Sequence, residues 1–161
     1  MRVHTEYEIV QQKQVAALCL ASNVLFAGNL VPSVLFIKAE GTITQDVLTA
    51  PERDALQKSL VALNMLQDCW AALAVSQDTP IEEFRVLLET LDPSLVILLD
   101  KTAARYVSLM LDCPNFSLDS SKYVNGRTFI ALEGFEASLT NDSAKRREWA
   151  RLKRIAKERT F

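Results

Sequence analysis

The sequence predicts an α/β fold of three layers, with helices covering both faces of a mostly parallel, four-stranded central sheet. Three observations carry that expectation. Continuous apolar runs at 33–37, 69–75 and 95–99 look like strands buried on both faces rather than half-solvated ones. Helix-length segments separate the runs, and two of these segments open with a recognisable start signal. Strand then helix recurs along the chain, which calls for right-handed crossovers between parallel strands.

Residues 5–22 read as an uninterrupted helix. Tyr7, Ile9, Val10, Gln14, Ala17, Leu18 and Ala21 keep an approximate three-to-four spacing and form the expected inward face of an N-terminal helical segment, 1–28. After Gly28 and Pro32, Ser33-Val34-Leu35-Phe36-Ile37 reads as a central parallel strand. Thr49-Ala50-Pro51-Glu52 is a capping box. The Thr hydroxyl accepts from a free backbone N–H, Glu52 reaches back to the Thr N–H, and the helix carries Leu56, Leu60 and Leu63 inward. Cys69 to Val75 is the second run. Thr79-Pro80-Ile81-Glu82 reads as a second capping box with proline at the first helical position, and Asp92-Pro93 ends that helix after Leu91. Leu95 to Leu99 is the third strand and Lys101 to Leu111 the next helix. The stretch from Cys113 to Ser121 is aperiodic, and Tyr123 to Ile130 reads as an Asn-Gly turn feeding a fourth strand. A basic helix spans 142–158, with Trp149, Leu152, Ile155 and Ala156 on one stripe, and Trp149 is expected to anchor the core.

Length and composition fit a single domain over 1–161. The chain has 161 residues, 18 Lys plus Arg against 20 Asp plus Glu, 49% hydrophobic residues and four glycines, which together describe an ordinary globular protein. No apolar run is long enough to cross a membrane, and the patch from Val15 to Leu20 follows glutamines rather than a basic segment, so a cytoplasmic protein is expected. Cys19, Cys69 and Cys113 lie far apart in apolar surroundings and read as buried thiols. The net charge of −2 divides into +6 over 145–159 and −8 over the rest. Such a basic stripe can hold phosphates or serve as a solvated face balancing an acidic body, and a pI near 5.5 argues against nonspecific DNA adhesion as the main activity.

Several chemistries lack their residues. The turn after the first strand reads Lys38-Ala39-Glu40-Gly41-Thr42, whose single glycine makes no phosphate cradle, and no G-x-S-x-G elbow occurs. The only histidine, His4, stands near the N-terminus. Acidic residues are scattered without the convergent spacing of a metal site, so neither a metal nor a cofactor is expected.

Three segments, in order, resemble the uracil-DNA glycosylase-like superfamily. Ser33 to Gly41 looks like its first strand and catalytic loop. Leu48 to Met65 looks like the following helix, with Val61-Ala62-Leu63-Asn64-Met65 at its Leu-rich close. Leu91 to Ala104 is similar to the family's strand-to-helix unit, with Asp100 in place of a glycine. With the first strand, its loop and the following helix counted as one segment, the third keeps Leu139, Asn141, Lys145, Arg146 and Trp149 of the family's frame, but the His-Pro-Ser positions hold Gly134, Phe135 and Glu136. The resemblance runs from about Ser33 to Ile155.

The resemblance implies a scaffold that excises a flipped uracil, with histidine stabilising the departing base and an acid or amide in the first loop handling the water. Here the histidine is missing. The family's Gly-Glu-x-Pro-Gly shortens to Lys38-Ala39-Glu40-Gly41, which leaves Glu40 as the candidate catalytic carboxylate. The chain also resembles the psi subunit of the bacterial DNA polymerase III clamp loader, a noncatalytic relative in fold, through Glu136-Ala137-Ser138-Leu139-Thr140 followed by Lys145 and Trp149. The expectation is therefore a noncatalytic binding or assembly module in DNA replication or repair. Its partner would be DNA or a protein of that machinery, and Lys145, Arg146 and Arg147 could contact phosphate or partner. The alternative is a divergent glycosylase with a displaced active site, using Glu40 and a donor from Gly134 or Ser138.

Overall fold

A computed structural model describes residues 6–65 and 68–157, with side chains through Arg154. His4 and the side chains of Ile155 and Ala156 lie outside the described residues. In chain order the elements are α1 (Glu6–Ser22), β1 (Leu25–Gly28), β2 (Val34–Lys38), α2 (Ala50–Ala62), β3 (Trp70–Ala74), α3 (Ile81–Leu91), β4 (Leu95–Leu98), α4 (Lys101–Met110), β5 (Lys122–Val124), β6 (Arg127–Ala131), α5 (Phe135–Ser138) and α6 (Asp142–Lys157).

The fold is α/β, built on a mixed six-stranded sheet rather than the expected four strands. Its order is β1-β3-β2-β4-β6-β5. The four inner strands are mutually parallel, and β1 and β5 add antiparallel edges to β3 and β6. β1 falls at the end of the expected helical segment 1–28, where the apolar residues Val24 to Ala27 follow directly on α1, and β5 has only three residues and no apolar run. The Asn-Gly pair closes the β5–β6 hairpin, with Asn125 at φ 51° and Gly126 at φ 84°, both in the region that a two-residue hairpin turn demands.

Side chains of the inner strands alternate between two cores. Leu35, Ile37, Leu73, Val96, Leu98 and Phe129 face one layer, where Val15 of α1, Phe84 and Leu87 of α3 and Val107 of α4 meet them. Val34, Phe36, Ala72, Ile97 and Ile130 face the other, where Leu56 and Leu60 of α2, Phe135 of α5 and Leu152 of α6 cover them. Burial on both faces is why these strands read as unbroken hydrophobic runs.

Three local expectations need correction. Helix α1 buries Gln11, Val15 and Ser22, whereas Tyr7 and Val10 of the predicted face are 71% and 62% exposed. Apolar residues ring this helix, so periodicity alone does not choose a side. Polar chemistry decides it, because Gln11 Nε2 donates to the Leu30 and Thr90 carbonyls and ties α1 to α3. The box at Thr49 forms in full, but the one at Thr79 does not. Thr79 Oγ1 instead accepts from the Ser76 amide of the preceding turn, leaving Pro80 as the cap. The three cysteines are half-buried rather than buried, and none forms a disulfide. Burial pushes the Cys19 thiol up to about 11.

Candidate functional site

The carboxyl ends of β2, β4 and β6 meet at one rim of the sheet, where open α/β folds place ligands. A cavity of about 330 Å³ lies there. Lys38, Glu40, Gly41 and Thr42 line it after β2, Leu99 and Asp100 after β4, and Gly134 to Ala137 after β6, while Glu52 reaches in from α2.

Lys38 ends β2 and is 1% exposed. Its Nζ donates to the Thr42 carbonyl at 2.5 Å and to Glu52 Oε1, and lies 3.3 Å from Glu136 Oε2. An ammonium has three protons, and these three neighbours account for them. Glu52 is fully buried, and its Oε1 also accepts from the Thr49 amide at 2.9 Å, completing the cap of α2. Its second oxygen, Oε2, has no hydrogen-bond partner.

Asp100 binds two elements at once. Oδ1 caps α4 by accepting from the Ala103 amide at 2.7 Å, and Oδ2 accepts from the Ala39 and Glu40 amides at 3.0 and 3.1 Å. Glu136 Oε2 accepts from the Thr42 amide at 2.8 Å. Partial burial pushes the Glu136 carboxyl up, but the Thr42 amide and the Lys38 ammonium prevail and hold it below the ordinary glutamate range. Gly41 suits the left-handed backbone here, at φ +79°, and a Cβ at this position would push the Glu136 carboxylate from its place 1.8 Å away. Across the rim, Glu148 of α6 accepts from the Glu133 and Gly134 amides at 3.0 and 3.1 Å. Glu40 is exposed and takes the Thr102 hydroxyl.

The structure thus gathers Lys38, Glu40, Gly41, Gly134, Phe135 and Glu136 around one cavity, and Ala39 joins them through its amide to Asp100. Lys145, Arg146 and Arg147 do not line it; they stand exposed on α6. Farther along that helix Arg151 pairs with Glu133 and Glu148, and the exposed Arg154 donates to the Asp119 carbonyl. Trp149 packs half-buried against the core with Lys153 over its ring. Glu52, Asp100, Thr102 and Glu148 are site residues that sequence reasoning missed. Glu52 was legible only as a cap and Asp100 only as a departure from the family's glycine.

Chemically, the cavity sets four carboxylates, Glu40, Glu52, Asp100 and Glu136, against one ammonium that is already neutralised. The amides of Ala39, Glu40, Thr42, Glu133 and Gly134 are all taken by the chain's own carboxylates. The Ser138 hydroxyl donates to the Phe135 carbonyl at 2.6 Å. Among the described residues, no group of three or more His, Cys, Asp or Glu side chains is placed to hold a metal ion, and no helix is long and apolar enough to cross a membrane. No protein-family model matches the chain, and no curated protein is significantly similar to it.

Proposed function

We propose that the chain is a noncatalytic member of the uracil-DNA glycosylase-like superfamily that works as a binding or assembly module in DNA replication or repair. One observation carries the reading: the loop amides at the cavity rim, which could hold a substrate's negative charge, already donate to this chain's own carboxylates. An oxyanion-type site depends on donors left open for charge that develops during the reaction. Here Asp100, Glu136 and Glu148 supply that charge permanently. The surplus of carboxylates also repels a nucleotide's phosphates. The ordered segments of the resemblance fall on β2, α2, β4, α4 and α6 in the expected sequence, which supports a retained scaffold.

The test is to incubate pure protein at high concentration with uracil-containing single- and double-stranded DNA, then cleave abasic sites with alkali. No product above the no-enzyme control is expected. Turnover that disappears in Glu40→Gln would overturn the reading. A specific observation favours the second reading, a divergent glycosylase, because Glu40 and Gly134 do border a cavity of nucleobase size. Against it, both candidate donors are engaged, the Gly134 amide by Glu148 and the Ser138 hydroxyl by the Phe135 carbonyl.

A further inference from the structure

The groove between α2 and α6 has a chemistry unlike that of the rim cavity. It encloses about 470 Å³. Ala55, Ser59 and Ala62 form one wall at helical spacing, Trp149 forms the other, and Phe135 and Leu139 lie beneath. The α2 wall is low at its middle because Leu56 and Leu60 are buried in the core, leaving the small side chains of Ala55, Ser59 and Ala62 there. Lys58 and Lys145 border the opening, and Lys153 sits 5.6 Å from the Trp149 ring centroid. Asp54 also borders it and pairs with Lys58 at 2.9 Å, but both side chains are more than half exposed, and such pairs are weak and readily exchanged.

We infer that this groove docks an acidic segment of a partner protein, inserting one bulky apolar side chain beside Trp149 while its carboxylates face Lys58, Lys145 and Lys153. Charge complementarity selects that occupant. Residues 145–159 carry +6 against −8 for the rest of the chain, so this apolar channel, edged by Lys58 and Lys145 with Lys153 beside Trp149, is complementary to an anionic segment. Half-buried tryptophan flanked by polar groups is the usual composition of an interface anchor. A nucleic acid fits less well. The floor is apolar, Asp54 stands in the wall, and Lys153 covers the ring that a base would stack on. The inference rests on the assembly-module reading and names the chemistry of its partner.

The experiment is fluorescence anisotropy with the full chain and a short labelled peptide carrying one phenylalanine flanked by aspartates and glutamates. Parallel titrations use the same peptide with serine at the aromatic position and a labelled oligothymidylate. Saturable binding of the first peptide is expected, weakened about tenfold or more by the serine replacement, by Lys145→Glu and by Ser59→Trp, which fills the groove. If circular dichroism shows that Ser59→Trp misfolds, the exposed Ala62→Glu takes its place with the same expectation. No saturable binding, equal binding of the serine peptide, or indifference to the groove variants would overturn the inference, as would tighter binding of the oligothymidylate at the same residues. Glycosylase turnover in the separate assay would sink the module reading alone. A silent glycosylase assay with failed peptide binding would sink the groove alone.

Discussion

The rim cavity and the α2–α6 groove share Phe135 in their linings and treat their polar groups in opposite ways. At the rim, Lys38, Asp100, Glu136 and Glu148 each satisfy groups on other segments, joining the loops after β2, β4 and β6 into one network. Along the groove, Lys145 stays in solvent and Trp149 remains half-buried. The contrast teaches that a pocket can be built chiefly for stability while a shallower surface carries recognition. At the rim the loop amides already have partners within the chain.

The comparison breaks most visibly at Lys38. Lys38→Met leaves the Glu52 carboxylate buried without its counter-charge, and a loss of about 3–5 kcal/mol is expected. Urea unfolding checks this, and Lys38→Met combined with Glu52→Gln should recover most of the loss by removing both charges. If the single variant unfolds like wild type, the rim is not a stabilising network. Asp100→Ala comes next, with an expected cost of about 1–3 kcal/mol from losing the α4 cap and exposing two unpaired amides. Hydrogen exchange should then quicken at Ala39, Glu40 and Ala103 while β6 stays protected. Uniform acceleration would mean that Asp100 acts globally rather than as a loop clamp.

The smallest effect is a pH dependence at Glu136. Its carboxyl is held below the ordinary glutamate range in the folded state, so the unfolded chain binds the proton more readily. The contribution is complete above the unfolded value and is lost as pH falls through the folded one. Between about pH 6 and about pH 3, wild type should therefore lose more stability than Glu136→Gln. Equal losses would remove Glu136 from the network.

Much of the framework is legible in the sequence because burial on both faces leaves a mark that needs no alignment. Val34 to Ile37, Ala71 to Ala74 and Leu95 to Leu98 have neighbours on both sides of the sheet, and so their apolar runs are unbroken. Strand β1 escapes notice because its apolar residues run straight on from helix α1, and β5 because an edge of three residues needs little hydrophobicity. Helix α1 misleads because its contacts are set by Gln11 and small residues rather than by its largest ones. The site divides in the same way. Glu40, Gly134 and Glu136 stand out through a motif frame, whereas Asp100 reaches the Ala39 amide across 61 positions and Glu148 reaches Gly134 from a different helix. No local spacing encodes such reach, because the fold alone brings the atoms together.

The sheet's two borders carry a consequence for how the molecule behaves in a crowded solution. An unpaired strand invites another chain to add itself, and a long flat one invites a fibril. Here the outermost strands offer only four residues on one side and three on the other, the latter beginning with a lysine. A newcomer would find too short a ladder to hold, so the protein should stay dispersed at high concentration and keep its contacts for helices.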